Sequence, residues 1–527
     1  MSLLEIKQLS LAIGGKPILD GVSLEIGAGK VLGLVGESGS GKSLTALSIM
    51  GLLPSGAART GRILFEGQDL AAAGEKEMDA LRGQAIGMIF QEPMTALNPL
   101  MTIGDQVAET VRVHRRMGKK EARALAVETL ERVGLASIAP DRYPHELSGG
   151  QRQRVGIAIA IALRPKLLIA DEPTTALDVT TQAQILDLLR SLVRTDGMAL
   201  MLITHDLAVV SQMADTIAVV QAGQVVETGP TANLIAAPQH RYTRKLLAAT
   251  THVPRRPVRK ASGEILLWVD GAVKEYPLGH GLRLGPRKAF RALDGVGLTV
   301  ARGESVGLVG ESGSGKSTLA RTILGLDALS EGRIEFAEQT ISSAGRAARL
   351  RLRDMQMVFQ DPYGSFDPRH KVARLVAEPL HLLGDDAPRG AERDGLVARA
   401  LDAVGIGPEA AQRYIHEFSG GQRQRIAIAR ALIVEPALIV LDEAVSALDV
   451  SIRAQVLDLL ADISQRSQIA YLFIAHDLEV VRTITDRVLV MQAGRIVEEG
   501  PTQEVLDAPR HDYTKTLVAA APKLAIQ

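Results

Sequence analysis

Short apolar runs alternate along the chain with longer stretches in which apolar and charged positions recur at helical spacing. Runs of this kind predict strands that are buried on both faces of a sheet. They lie at residues 31–35, 167–170, 199–204, 305–309, 438–441 and 470–475. Their alternation with helical stretches predicts an α/β fold with a mainly parallel core sheet.

Two helical stretches, at residues 98–146 and 367–417, are rich in Ala, Arg, Glu and Leu and predict an inserted helical subdomain. The most apolar stretch, residues 155–163, lies between Arg154 and Arg164. Because a membrane-spanning helix needs about 20 residues, this stretch predicts a buried helix. The N-terminus has no basic region followed by an apolar core. We therefore expect no secretory signal and a soluble or peripheral protein in the cytoplasm.

The second half of the chain repeats the first. The octapeptide GESGSGKS begins at Gly36 and again at Gly310, and further shared segments recur at offsets of 269 to 274 residues. A period of this length indicates a duplicated domain and not a solenoid. Residues 252–263 contain Pro, Gly and basic residues without periodicity, as expected of a linker. We predict a first repeat at 1–248, a linker at 249–263 and a second repeat at 264–527.

Composition excludes several classes of site. The chain has 60 basic and 60 acidic residues, which gives no general attraction to nucleic acid or to an anionic membrane. It has no cysteine. Disulfides, thiolate metal sites, iron–sulfur clusters and cysteine nucleophiles are therefore excluded.

Each octapeptide follows a predicted strand and matches G-x-x-x-x-G-K-[ST], a loop whose main-chain N–H groups surround a polyphosphate. We call residues 36–43 and 310–317 the phosphate loops. With the residue after each, they predict nucleotide contacts from Gly36, Glu37, Ser38, Gly39, Ser40, Gly41, Lys42, Ser43 and Leu44, and from Gly310, Glu311, Ser312, Gly313, Ser314, Gly315, Lys316, Ser317 and Thr318. The lysines would contact the β- and γ-phosphates, and the serines at 43 and 317 would ligate Mg²⁺. The chain is predicted to bind nucleoside triphosphate at two sites.

Polar residues that could complete these sites follow other predicted strands in both repeats. Asp171 and Asp442 are predicted to hold Mg²⁺, and Glu172 and Glu443 to polarise the attacking water. His205 and His476 could stabilise charge on the γ-phosphate. The last pair, which could ligate Mg²⁺ or orient water, is Gln91 and Gln360.

A second segment suited to an anion occurs in each repeat. These signature segments, which begin predicted helices, consist of Ser148, Gly149, Gly150 and Gln151, and of Ser419, Gly420, Gly421 and Gln422. A helix N-terminus can bind phosphate, yet one nucleotide does not need two such sites in one repeat. The sequence therefore predicts that each signature segment faces the phosphate loop of the other repeat.

In this order and spacing the motifs resemble those of the ATP-binding cassette (ABC) ATPases over nearly the whole chain. The resemblance also covers the D-loops, residues 176–178 and 447–449. A narrower resemblance, to the ATPases of oligopeptide, dipeptide and nickel importers, rests on residues 90–99, 240–243, 278–291, 359–368 and 511–514. The chain is similar to fused double ATPases such as those of microcin C importers. This resemblance implies two P-loop domains, each with a mainly parallel core sheet, an antiparallel β subdomain and an inserted helical subdomain.

The resemblance implies a motor that hydrolyses Mg-ATP at two composite sites formed by head-to-tail pairing of the repeats. Site one combines the phosphate loop of the first repeat with the signature segment of the second, and site two combines the converse pair. Expected partners are two transmembrane permease subunits and an extracytoplasmic substrate-binding protein, at the cytoplasmic face of the inner membrane and without nucleic acid. Peptide is the expected substrate, with nickel, opines and sugars as alternatives.

One departure from the family pattern concerns the adenine. Tyr276 is expected to stack on the base at site two, whereas the aligned residue of the first repeat is Ile13; we therefore expect weaker ATP binding at site one. Two other functions remain open from the sequence: a soluble tandem ABC ATPase that acts on ribosomes or DNA, and the ATPase half of an exporter.

Overall fold

The computed structural model describes residues 2–91, 96–175, 177–254, 263–277, 289–341, 353–361, 364–446 and 448–524. Parts of four predicted features lie outside these residues: the linker (255–262), the importer-like segment 278–291 (its residues 278–288), the segments after Gln91 and Gln360 (92–95 and 362–363) and the D-loops (176 and 447).

The first repeat contains ten strands among its described residues. They are β1 (Ser2–Ile13), β2 (Lys16–Gly27), β3 (Val31–Val35), β4 (Ala57–Phe65), β5 (Gln68–Asp69), β6 (Ile86–Ile89), β7 (Leu167–Asp171), β8 (Ala199–Thr204), β9 (Thr216–Gln221) and β10 (Gln224–Pro230). Its α-helices are α1 (Lys42–Met50), α2 (Glu75–Leu81), α3 (Ile103–His114), α4 (Lys119–Arg132), α5 (Gly149–Ile161), α6 (Val179–Asp196), α7 (Leu207–Met213), α8 (Thr231–Ala236) and α9 (Arg241–Thr250).

The described residues of the second repeat have the same order of elements, except that they include no counterpart of α2. Its strands are β11 (Ile265–Pro277), β12 (Ala289–Ala301), β13 (Ser305–Val309), β14 (Glu331–Phe336), β15 (Gln339–Thr340), β16 (Met355–Val358), β17 (Leu438–Asp442), β18 (Ala470–Ile474), β19 (Arg487–Gln492) and β20 (Arg495–Pro501). Its α-helices are α10 (Lys316–Ile323), α11 (Val372–Ala377), α12 (Gly390–Ala403), α13 (Gly420–Leu432), α14 (Val450–Arg466), α15 (Leu478–Ile484), α16 (Thr502–Asp507) and α17 (Asp512–Ala520).

Each repeat is built on a six-stranded sheet. Its order is β10-β9-β3-β8-β7-β6 in the first repeat and β16-β17-β18-β13-β19-β20 in the second. All neighbouring strands are parallel except the pairs β9–β10 and β19–β20. A separate antiparallel sheet, β2-β1-β4-β5 or β12-β11-β14-β15, accompanies each core sheet. The predicted fold class, including the helical insertions that contain α3, α4, α11 and α12, is confirmed.

The parallel strands bring the chemistry-bearing residues to one edge of each sheet. β3 ends immediately before the phosphate loop, β7 ends at Asp171, and β8 ends immediately before His205. These strands are almost wholly buried because the helices and the second sheet cover both faces. Ligands of parallel sheets bind at the carboxyl ends of the strands, so the sheet alone assembles one candidate site per repeat.

The two repeats contact each other through their C-terminal helices. α9 of the first repeat packs against α14 of the second, and α17 packs against α6. Val179 belongs to the apolar core of the second repeat, and Leu524 packs against the apolar core of the first. His252 Nε2 lies 2.8 Å from Asp458 Oδ1. None of the helices in the described part of the chain is both long enough and apolar enough to cross a membrane.

A β-bulge in the sheet β2-β1-β4-β5 gives a stability prediction. Gly61 has φ 92°, and a Cβ there would lie 2.4 Å from the main-chain oxygen of Gln8. Gly67 has φ 84° but nothing within 4 Å of the same position. Both alanine variants incur backbone strain, but only Gly61→Ala also forces two strands apart. We expect Gly61→Ala to lower the free energy of unfolding by about 1–3 kcal/mol more than Gly67→Ala does, as measured by denaturant unfolding. If both variants lose the same free energy of unfolding, the strands accommodate the extra methyl group without further cost.

Candidate functional site

Each phosphate loop is closed by its own lysine. Gly41 precedes α1 with φ 100°, a conformation that favours glycine, and lets the loop turn directly into the helix. Lys42 Nζ donates to the main-chain oxygens of Gly36 and Glu37, each at 2.9 Å. Lys316 makes the equivalent bonds at 2.8 and 2.7 Å. Burial lowers the pKa of both lysines, against the opposing effect of nearby carboxylates.

Glu172 and Glu443 occupy a strained position just after a core strand. Both have left-handed φ angles, 47° and 48°, which non-glycine residues rarely adopt. The main-chain N–H of Glu172 donates to Ile203 O at 2.9 Å, so the end of β8 holds this conformation. Glu443 makes the same bond to Ile474. The strain turns each carboxylate toward the residues that follow the neighbouring strands.

Side chains from both neighbouring strands contact these carboxylates. Gln91 Nε2 donates to Glu172 Oε2 at 3.0 Å, Thr175 Oγ1 donates to the same oxygen at 2.9 Å, and His205 Nδ1 lies 3.4 Å from Oε1. In the second repeat, Gln360 Nε2 donates to Glu443 at 2.7 Å and His476 lies 3.3 Å away. Although burial opposes it, the histidine contact lowers the pKa of both glutamates. Both are therefore ionised at neutral pH.

The aspartate before each glutamate has the features of a cation ligand. Asp171 Oδ1 is buried and has no hydrogen-bond partner within the described residues. Burial raises the pKa of Asp171, against the effect of a hydrogen bond from Ser43. In the second repeat, Ser317 Oγ donates to Asp442 Oδ1 at 3.4 Å. A carboxylate and a hydroxyl are oxygen donors that suit Mg²⁺.

Protein groups alone do not form a closed metal site there. Across the ranges that the structure describes, no cluster of three or more His, Cys, Asp or Glu residues could hold a metal ion. Mg²⁺ commonly keeps several waters and takes phosphate oxygens with one or two protein ligands. The donors present at Asp171 and Ser43 fit this pattern.

Each signature segment begins a core helix. Ser148 N-caps α5: its main-chain N–H donates to Gln151 Oε1 at 3.0 Å, and its Oγ accepts from the Gln151 N–H at 3.3 Å. Ser419 N–H donates to Gln422 Oε1 at 3.1 Å before α13. The Ser and the first Gly of each segment are exposed. The helix N-termini are therefore open to an anion.

The D-loop aspartates connect the two repeats. The main-chain N–H of Ser38, in the first phosphate loop, donates to Asp449 Oδ1 at 2.6 Å. Asp178 forms the reciprocal hydrogen bond with the main chain of Ser312. Thr180 Oγ1 also contacts Glu311 Oε1 at 2.7 Å. The resemblance to ABC ATPases placed both aspartates in the D-loops, and they recur after the acidic pairs, but the sequence alone indicated no role for either.

The predicted adenine positions differ between the repeats. The Tyr276 hydroxyl donates to Asp327 Oδ2 at 3.2 Å, and the residue is 36% exposed. It also forms a hydrogen bond with Thr318, on the helix after the phosphate loop. Ile13 packs instead against the apolar core of its repeat. Only the second repeat presents an aromatic face at this position.

Comparison with known proteins agrees with this architecture. A family model described as "ABC transporter" matches residues 19–175 and 293–446. A second, "Oligopeptide/dipeptide transporter, C-terminal region", matches residues 226–265 and 497–527. The chain is 48% identical over 530 residues to the peptidoglycan transport ATP-binding protein YejF of Agrobacterium fabrum, covering 98% of this chain and 96% of that protein.

Another relative and one solved structure cover nearly the whole chain. The glutathione import ATP-binding protein GsiA of Escherichia coli is 45% identical over 537 residues, covering 95% of this chain and 86% of that protein. The archaeal ribosome recycling factor aABCE1, solved with the ribosomal stalk protein aP1, matches with a TM-score of 0.60 and 21% identity. That match covers 92% of this chain and 88% of that one, and it shows the fold alone.

The family matches confirm the resemblance seen in the motifs and the ATPase activity that it implied. Proteins of this family bind and hydrolyse ATP, and this chain is an ATPase. The chain belongs to the ABC transporter ATP-binding proteins, in the family that carries the oligopeptide/dipeptide transporter C-terminal region.

Proposed function

We propose that this ATPase energises the import of peptides by hydrolysing ATP at two composite sites between its repeats. Site one consists of Lys42, Ser43, Gln91, Asp171, Glu172, His205, Ser419, Gly420 and Gly421. Site two consists of Lys316, Ser317, Gln360, Asp442, Glu443, His476, Ser148, Gly149 and Gly150. ATP would hold the repeats together, and hydrolysis would release them.

The observation that carries this proposal is the reciprocal contact of each phosphate loop with the other repeat. Asp449 contacts Ser38, and Asp178 contacts Ser312. Each aspartate directly precedes a helix of its own repeat, α14 or α6. A phosphate group in either loop would therefore lie close to both repeats, as a composite site requires.

The contacts of Glu172 support its role as the group that activates water. It is ionised, and a main-chain hydrogen bond to the end of β8 holds its conformation. Gln91 contacts one carboxylate oxygen, and His205 contacts the other. An attacking water would lose its proton to this carboxylate as its oxygen bonds to the γ-phosphorus and ADP leaves. Lys42 would contact the departing phosphates. Mg²⁺ held through Asp171 and Ser43 would neutralise part of the charge on the β- and γ-phosphates.

The relatives and the match of the C-terminal regions to an oligopeptide/dipeptide transporter model support the proposed importer role. Both curated relatives described above are named for transport or import, one of peptidoglycan and one of glutathione. We propose a related peptide cargo for this chain, carried through two transmembrane permeases that receive it from an extracytoplasmic binding protein. The chain would bind the permeases from the cytoplasmic face of the membrane.

Co-purification with its membrane partners tests the importer role. The chain would be expressed with its chromosomal neighbours, and Mg-ATPase activity would be measured in lipid with and without a peptide-loaded binding protein. We expect activity to rise when the loaded binding protein is added. High activity with no membrane partner and no response to peptide would instead support the tandem ATPase that acts on ribosomes or DNA.

Loss of the Tyr276 ring should weaken one nucleotide site only. An aromatic stack contributes about 0.5–1.5 kcal/mol beyond burial, which corresponds to roughly a 2- to 12-fold change in dissociation constant. We expect Tyr276→Ala to raise the ATP dissociation constant by this factor in a chain whose first site is disabled by Lys42→Ala. The same variant should have no effect when the second site is disabled by Lys316→Ala. The Lys42→Ala and Lys316→Ala chains, both with Tyr276 unchanged, each have one working site. If they bind ATP with equal affinity, the predicted weaker binding at site one is wrong.

A further inference from the structure

A tyrosine in each C-terminal region contacts the phosphate loop of its own repeat. The Tyr242 hydroxyl accepts a hydrogen bond from the main-chain N–H of Glu37 at 3.1 Å. The Tyr513 hydroxyl accepts from the N–H of Glu311 at 2.8 Å. Both tyrosines lie in the HxYT segments, residues 240–243 and 511–514, to which the proposed function assigns no role. The same contact, formed independently in two repeats, requires an explanation.

The HxYT segment is held in place from two sides. Glu227, on β10, accepts hydrogen bonds from the main-chain N–H groups of Gln239 at 2.7 Å and His240 at 3.0 Å. His240 Nδ1 then accepts from the Tyr242 N–H at 3.2 Å and caps α9. In the second repeat, Glu498 likewise accepts from the main-chain N–H groups of residues 510 and 511, and His511 Nδ1 accepts from the Tyr513 N–H. These bonds fix the first turn of the helix, and with it the direction of the tyrosine.

The next amide of the phosphate loop is bound by the other repeat. Glu37 donates to Tyr242, and Ser38 donates to Asp449. The helix that carries Tyr242, α9, packs against α14, which begins directly after Asp449. α17 and α6 form the same arrangement around Tyr513 and Asp178. One amide of the loop is thus held by a residue of one helix, and the next amide by the residue that directly precedes another. These two helices pack on each other across the repeats.

Packing alone does not account for this contact. Tyr242 is 4% exposed and Tyr513 is 8% exposed, and each belongs to the apolar core of its repeat. A phenylalanine would fill the same space. It would, however, leave the Glu37 or Glu311 amide without the hydroxyl acceptor, at a half-buried position where losing a hydrogen bond has a cost. Burial raises the pKa of both tyrosines to about 12, so both hydroxyls remain neutral acceptors at neutral pH.

We propose that Tyr242 and Tyr513 are positioning residues for ATP binding, whose hydroxyls hold each phosphate loop in the conformation that the D-loop aspartate of the other repeat engages. The inference rests on the proposed composite sites. It assigns the HxYT segment a role in the nucleotide site although the segment lies about 200 residues further along the chain. The C-terminal region thereby acts on the phosphate loop at the point where the two repeats contact each other.

The test removes only the hydroxyl groups. We expect Tyr242→Phe/Tyr513→Phe in the full-length chain to raise the KM for ATP about threefold to tenfold, the effect of one lost hydrogen bond per site. kcat should change little, and the melting temperature should fall no further than it does in the control variant. Tyr471→Phe is the matched control, because Tyr471 is 1% exposed and its hydroxyl contacts Leu460 O instead of a phosphate loop. An unchanged KM in the double variant, or an equal rise in the control, would overturn the inference.

Site-specific binding separates positioning from a general effect. In a chain whose second site is disabled by Lys316→Ala, Tyr242→Phe should weaken ATP binding and Tyr513→Phe should not. Combining Tyr242→Phe with Asp449→Ala should cost less than the sum of the two changes, because both act on adjacent amides. Additive effects would argue against the coupling. If Glu172→Gln/Glu443→Gln abolishes hydrolysis while the tyrosine variants behave as wild type, only this inference fails; if it retains full activity, the proposed site itself fails.

Discussion

Replacing Glu172 and Glu443 together by Gln is expected to lower the ATPase kcat by about 10²–10⁴-fold, the usual contribution of a positioned general base. Gln has nearly the same shape and can still accept a hydrogen bond from Gln91 or Gln360. It cannot take the proton of the attacking water. ATP binding should persist, because the phosphate loops and Asp171 are unchanged. Steady-state hydrolysis and equilibrium nucleotide binding, measured on the same preparation, check both expectations.

Glu66→Gln is a matched control for the backbone strain at Glu172. Glu66 also has a left-handed φ, 50°, but its carboxylate pairs with Lys166 on the surface. Its substitution should leave kcat unchanged.

The single variants Glu172→Gln and Glu443→Gln report how the sites cooperate: each retains about half of the activity if the sites act independently, and less if they alternate. A double variant with wild-type kcat would place water activation on another group.

The core strands and phosphate loops could be predicted because they depend on local sequence. An apolar run of four or five residues between polar or turn residues is typical of a central strand, and β7 extends the predicted 167–170 run by one residue to Asp171. The sharp turn at Gly41 and the lysine that follows it are likewise specified within eight residues. A single phosphate-loop motif could occur by chance, but its identical occurrence in both repeats makes chance an inadequate explanation.

The contacts made by the functional side chains depend on strand order. Gln91 and His205 were predicted to contact Mg²⁺, water or phosphate, and the structure places both of them on Glu172. That contact requires β6 and β8 to lie on either side of β7 in the sheet. The apolar pattern of the sequence predicts strands but not their order. The bond between Ser38 and Asp449 joins residues 411 positions apart and depends on how two repeats pack. The sequence drew attention to Tyr242 only as part of segment 240–243, which resembles the importer ATPases. A buried tyrosine usually packs in the apolar core, so its residue type alone did not indicate a role at the nucleotide site.

Pairs of substitutions should reveal which halves of the two sites belong together. Lys42→Ala disables the first phosphate loop, and an arginine at Ser419 or Ser148 would obstruct the exposed start of α13 or α5. If the sites are composite, Lys42→Ala with Ser419→Arg damages site one twice and leaves site two intact. Lys42→Ala with Ser148→Arg damages both sites, although both changes lie in the first repeat.

Nucleotide occupancy distinguishes these outcomes most directly. In the Glu172→Gln/Glu443→Gln background, where bound ATP is not hydrolysed, the Lys42→Ala/Ser419→Arg chain should retain one of its two nucleotides with undiminished affinity. The Lys42→Ala/Ser148→Arg chain should lose tight binding at both sites, because damage to separate sites adds whereas repeated damage to one site does not. The reverse pattern would mean that each repeat binds ATP with its own signature segment. The contacts of Asp449 with Ser38 and of Asp178 with Ser312 would then serve only to join the repeats.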